Sequence, residues 1–136
     1  VFRLQKISRR YGIDLDVLMF GEEPRMDGYF VTRKDQGMLV ERRSDYRYQS
    51  LAAGFRMRKM EPFMVEVAPL PEGERRGLNS HDGQEFDVVM EGTLELTIES
   101  HTMVLNEGDS IYFDATRKHC MHALGYKPVK FLCIVD

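Results

Sequence analysis

From about residue 28 onward, apolar residues recur at every second position in short runs. The clearest run is "TLELTIE", with Leu94, Leu96 and Ile98 alternating against Thr93, Glu95, Thr97 and Glu99. In an extended chain successive side chains point to opposite faces, so a run of this kind buries one face only. The stretches "GMLVER", "YRYQSLA", "FMVEVA", "EFDVVMEG", "TMVL", "SIYFD", "HCMHAL" and "VKFLCIV" are also short and β-rich, separated by turn material such as "EG", "ES" and "NEGD". Regular strands at this spacing, joined by such turns, imply antiparallel pairing rather than a parallel sheet with crossover helices. The expectation is therefore a mainly β antiparallel sandwich or barrel, whose closure also disposes of exposed sheet edges.

The front of the chain has a different period. In "FRLQKISRRYGIDLDVLMFGEEP" apolar residues fall at Phe2, Leu4, Ile7 and Tyr11, then at Leu15, Leu18 and Met19, which are helical intervals. Gly12 stops a first short helix, Asp14 caps a second, and Gly21 followed by Pro24 ends it. The expected organisation is two short helices over 1–22, a linker over 23–36 and a β unit over 37–136. The chain opens on Val1 already inside this pattern, which suggests a preceding segment.

Composition narrows the function classes. A chain of 136 residues with 43% hydrophobic and 30% charged residues suits one globular domain, and no apolar run approaches the ~18 residues of a membrane span. The charged first segment does not resemble a signal peptide, so a cytoplasmic location is expected. A net charge of -3 argues against electrostatic attraction to nucleic acid over the whole surface. Cys120 and Cys133 lack zinc-knuckle spacing. A hairpin folded symmetrically around "GYKP" would set them opposite each other, although a reducing compartment favours two thiols.

Chemistry concentrates in "NSHDGQEFDVVMEG", where an extended chain would turn Asn79, His81 and Glu85 to one side. His119 is a third candidate donor. His122 has the opposite parity and His101 sits near a probable turn, which makes both expected surface residues. Tyr46 and Tyr48 share a strand face and, with Phe86, Met90 and Met121, are candidate lining of a cavity, although such stripes are more often plain core. Arg42, Arg43 and Arg47 are candidate anchors for a carboxylate, with solvated strand charges as the alternative.

The spacing Gly73, Asn79, His81, Glu85, Gly92 resembles the first cupin motif, G-x5-H-x-H-x3-E-x6-G, with asparagine at the first histidine position. The second motif, G-x5-P-x-G-x2-H-x3-N, is met more loosely: Gly108 and His119 are in place, and Asp114, Thr116 and Ala123 stand for the proline, glycine and asparagine. The resemblance implies a double-stranded β-helix, or jelly-roll, barrel. It also implies a metal on His81, Glu85 and His119, from Fe, Mn, Ni or Zn, with Asn79 offering only a weak amide oxygen. The alternative is a polar interior in which Glu85 pairs with the histidines and no metal binds.

The segment "KISRRYGIDLDVLMFGEEP" resembles the closing helices of an XRE-type helix-turn-helix domain. The combination implies the sensor half of a bacterial transcriptional regulator: a small-molecule or metal effector in the barrel, DNA bound by a helix-turn-helix upstream, and a homodimer to match two half-sites. Lys6, Arg9 and Arg10 are candidate phosphate contacts. The base-reading helix would lie upstream, and no catalytic residue beyond the metal ligands is expected. A mononuclear, oxidative metal enzyme with the same two-histidine, one-carboxylate set is the competing function.

Overall fold

The computed structural model describes residues 28–42 and 46–136. The helices expected over 1–22, with Lys6, Arg9 and Arg10, lie outside the described residues, as does Arg43. Nine strands follow in chain order: β1 (Met38–Arg42), β2 (Tyr46–Ser50), β3 (Glu61–Val67), β4 (Gln84–Glu91), β5 (Leu94–Ile98), β6 (His101–Leu105), β7 (Ser110–Asp114), β8 (His119–Ala123) and β9 (Val129–Val135). Each period-two run has become a strand. β3 begins earlier than its pattern suggested, because Pro62 near its start still accepts a bond from Leu51 N–H through its carbonyl (3.0 Å).

The strands form two antiparallel sheets, one of six strands in the order β1-β2-β3-β9-β4-β7 and one of three in the order β6-β5-β8. Inward side chains of both make a single core, with Phe63, Val65, Val67, Val89, Val129 and Phe131 from the large sheet against Leu94, Leu96 and Met121 from the small one. This is the face-to-face packing of a sandwich closing into a barrel. The β5–β6 hairpin turns through Glu99 at φ 55°, the positive φ that a two-residue hairpin loop demands. Gly92, at φ 83°, follows β4 where a Cβ would meet the Pro128 carbonyl at 2.8 Å, so a glycine at this position has a steric reason.

One expected pairing is wrong. β8 and β9 do not form a hairpin: β8 pairs with β5, whereas β9 inserts between β3 and β4. Cys120 therefore lies opposite Thr97, Cys133 lies opposite Phe63 and Asp87, and neither thiol is in a disulfide. The chain crosses between sheets at "GYKP", which local turn symmetry does not reveal. Among the described residues no helix is long and apolar enough to cross a membrane.

Candidate metal centre

Three pieces of chain converge at one end of the barrel. Glu85 comes from the start of β4, His119 from the start of β8, and His81 from the irregular segment before β4. One donor atom from each lies within 4.8 Å of the others. Glu85 and His119 are buried and His81 is half-buried. The convergence of His81 and Glu85 does not come from strand alternation, as the sequence suggested, because β4 begins only at Gln84. The chain instead turns at Gly83 (φ 92°), where a Cβ would collide with the Asp136 carboxylate. His81 is pinned by its backbone N–H to the Ala115 carbonyl (2.9 Å).

The hydrogen bonds around the rings fix their chemistry. His119 Nδ1 lies 2.8 Å from the Arg117 carbonyl, which can only accept, so Nδ1 carries the proton and the neutral ring keeps its lone pair on Nε2. His81 Nδ1 meets the Asp82 carbonyl at 3.1 Å by the same logic, and its Nε2 lies 3.0 Å from Glu85 Oε1. Where Nδ1 holds the ring's one proton, Nε2 presents a lone pair towards the carboxylate oxygen, as it would towards a cation. Two acceptors at that distance repel unless a proton or a cation lies between or beside them. The donor set therefore fits a divalent metal, with two imidazoles and one carboxylate and no thiolate.

The second motif's departures are built into this support. Asp114 Oδ1, where a proline would stand, accepts from Thr116 N–H (3.0 Å) and from the Thr116 hydroxyl (2.6 Å). These two bonds make the turn that a proline and a glycine would otherwise make, and they hold the Asp114 carboxyl below its usual value. The turn delivers the Arg117 carbonyl to His119. Phe113 walls the ring at a centroid distance of 4.9 Å, and His81 stands edge-on to it at 5.4 Å.

The remaining candidates divide by parity. Tyr46 and Tyr48 lie on the inner face of β2, stacked at 5.7 Å, with Tyr48 edge-on to Phe63 and the Arg76 guanidinium 4.7 Å above Tyr46. Met121 is buried in the core on the same face of β8 as His119. Asn79 is solvent-exposed, and its contribution is through the backbone: reciprocal bonds with His119 of 2.8 and 2.7 Å tie the loop to β8. Phe86 must be reassigned. It neighbours Glu85 in β4 and so faces the other way, against Tyr112 on the outer surface, and Met90 and Arg47 are outward as well.

His122 is a further correction, since it faces away from His119 as its parity requires but is only 7% exposed. The segment before His81 covers it, and its Nε2 accepts from Arg76 N–H at 2.8 Å. Arg76 also donates to the carbonyls of Met121 (3.1 Å) and Ala68 (2.9 Å), so this residue straps the loop across the barrel. His101 is exposed at the start of β6, as expected. Burial, then Arg75 and Arg76, push the His122 pKa below its ordinary 6.5. A folded state that disfavours the protonated ring gains stability above pH 6.5 and loses it as pH falls from there through the lowered folded value. His122→Gln, which keeps an acceptor but cannot titrate, is expected to flatten the dependence of Tm on pH below about 6.5, the ordinary imidazole value.

Sequence reasoning missed several buried polar groups. Glu61 is buried on β3 with Arg58 Nε at 2.6 Å from its carboxylate. Asp87 and Cys133, both buried, form with Glu85 a second set of donor atoms within 4.8 Å of one another, just inward of the first. Asp87 was legible in hindsight, because it has the parity of Glu85 within β4.

A family model for the cupin domain, Cupin_2, matches residues 66–135. No curated protein sequence matches the chain. Among solved structures, the cupin domain of an XRE family transcriptional regulator from Enterobacter cloacae is 21% identical with a TM-score of 0.57, covering 68% of this chain and 97% of that one. Hydroxypropylphosphonic acid epoxidase from S. wedmorenis is 22% identical with a TM-score of 0.66, covering 100% of this chain and 74% of that one. KdgF from Halomonas sp. is 15% identical with a TM-score of 0.61, over 79% of this chain and 93% of that one. These likenesses corroborate the fold, and the family match spans just over half of the residues together with all three converging side chains; the chain belongs to the cupin domain family.

Proposed function

We propose that this protein holds one divalent metal on His81, Glu85 and His119 and uses it to capture a small polar effector, as the sensing domain of a DNA-binding transcriptional regulator. The observation that carries the metal is the convergence of His81, Glu85 and His119, each offering one nitrogen or oxygen donor atom within 4.8 Å of the others. Nitrogen and oxygen donors without thiolate suit Fe(II), Mn(II) or Ni(II), and zinc is accommodated. When bound, the metal supplies a Lewis-acidic centre with open positions for a chelating ligand. Tyr46 and Tyr48 give the barrel interior polar handles. The regulatory reading draws support from the likeness to a regulator's cupin domain, nearly all of which this chain covers. Regulation then requires that the effector bind one conformation of the complete protein more tightly than the other.

A second reading, a mononuclear metal-dependent oxidative enzyme, is favoured by one observation: the likeness to the epoxidase extends over the whole of this chain. One experiment separates the two. Protein purified without added metal is reconstituted anaerobically with Fe(II), Mn(II), Ni(II) or Zn(II), and its operator affinity and oxygen uptake are measured. Operator affinity that changes with metal and effector supports sensing. Unchanged affinity combined with oxygen uptake by the Fe(II) form in the presence of a small polar substrate supports the enzyme. Failure to retain any of the four metals overturns both readings.

A further inference from the structure

The segment 71–80 lies over His122 and Glu95 on the outer face of the small sheet and leads directly into His81. Every residue in it is exposed except Arg76, which is half-buried. Arg76 holds the segment down: its backbone N–H donates to His122 Nε2 at 2.8 Å and its guanidinium to the carbonyls of Met121 and Ala68. Further along the same strap the Asn79 backbone pairs with His119, and His81 N–H bonds the Ala115 carbonyl. Carbonyl anchors do not titrate, but an imidazole does. Because Nε2 accepts from Arg76 N–H, the neutral His122 ring carries its proton on Nδ1, which is buried without a hydrogen-bond partner, 4.0 Å from Glu95 Oε1. A second proton has to go onto Nε2, where it meets Arg76 N–H donor to donor. The groups around the ring offer it no spare negative charge. Arg75 and Arg76 face it from the strap, Glu95 faces it from β5 but is already paired with Arg75 at 2.6 Å, and Cys120 shares its face of β8 as a neutral thiol.

We propose that Arg76 and His122 are positioning residues for the loop that carries His81, and that a proton on His122 unlatches it, so that proton binding at His122 and metal binding at His81, Glu85 and His119 oppose each other. The second half rests on the metal reading above; the latch itself does not. Equilibria coupled through one loop are reciprocal, so a metal that holds the loop closed weakens proton binding at the ring by the factor by which that proton weakens the metal. The sign follows from the closed strap, which disfavours the charged ring. Opening becomes easier as pH falls below the ordinary 6.5 and stops changing once pH passes the lowered value of the closed state.

Hydrogen exchange of the Arg76 and Gly77 amides in the metal-free, full-length protein tests the latch, at about pH 7.5 and about pH 5.5, either side of the ordinary imidazole value. After correction for intrinsic exchange, wild-type protection is expected to fall severalfold, up to about tenfold, at the lower pH. In His122→Gln, which keeps an acceptor for Arg76 N–H but cannot titrate, it is expected to stay level. Ni(II) affinity by isothermal titration tests the coupling. It falls with pH in both proteins because protons compete for ligand imidazoles, and it is expected to fall up to about tenfold further in the wild type. Wild-type protection that does not change, or that changes equally in His122→Gln, overturns the latch. Equal affinity losses in the two proteins overturn its coupling to the metal. A protein that retains no Ni(II) overturns the metal reading, and the exchange result still decides the latch. Should His122→Gln not fold, NMR titration of the wild-type His122 ring with and without Zn(II) decides the coupling: a midpoint lowered by Zn(II) supports it, and an unchanged midpoint overturns it.

Discussion

Replacing Glu85 with alanine is expected to lower divalent-metal affinity by more than about 100-fold, beyond the 10–100-fold typical of changes outside the ligand shell. Glu85 is the only carboxylate of the three converging groups and is almost fully buried, so no water-solvated acid can take its place. Its loss also leaves His81 Nε2 without the oxygen 3.0 Å away. His119→Ala should have an effect of the same order. Asn79→Ala should change affinity less than about threefold, no more than about half of a 10-fold step worth 1.4 kcal/mol, because Asn79 holds His119 through backbone atoms that alanine retains. Isothermal titration with Mn(II) or Ni(II), and metal content after dialysis, measure all three. Equal losses in all three variants would show that the loop as a whole, and not its donor atoms, governs binding.

Phe131→Ala is expected to cost about 3–5 kcal/mol of stability and roughly 10 °C or more in Tm. Phe131 is 2% exposed and lies on the central strand β9, opposite Val65 on one side and Val89 on the other. Hydrogen-bonded neighbours on both flanks hold the backbone in place, so the surrounding chain has little freedom to collapse into the cavity. Chemical denaturation followed by far-UV circular dichroism checks the prediction. An outward control on the same strand, Ile134→Ala, should cost less. A loss below about 1 kcal/mol for Phe131→Ala would mean that the core repacks freely, contrary to the usual cavity cost.

Much of this was legible in the sequence because β structure writes itself as alternation. All nine strands were visible as period-two runs, and the shared inward parity of Leu94, Leu96 and Ile98 followed. What local pattern could not supply was long-range connection. The "GYKP" segment reads as a hairpin turn, yet it carries the chain from one sheet to the other, since the partners of β9 lie far away in sequence. His122 had the right parity and the wrong exposure, because the strap fixed by Arg76 comes from a polar segment with no periodicity to read. Phe86 was an avoidable error: adjacent residues of one strand cannot both face the interior, and Glu85 already did. At the metal site the motif identified the three side chains, but the carbonyls of Asp82 and Arg117, which accept from Nδ1–H and so leave the lone pair on Nε2, are encoded by no side-chain pattern.

Glu85 and His119 stand on different sheets, and those sheets share no ladder of backbone hydrogen bonds among the described residues. A cation gripping both would act as a rivet through the seam, clamping together two plates that otherwise meet mainly through apolar side chains and the loop that Arg76 straps across them. Filling or emptying that position would then be felt as a change in how stiffly the plates are joined, and the stiffness of a joint can be passed on to whatever is attached at its ends.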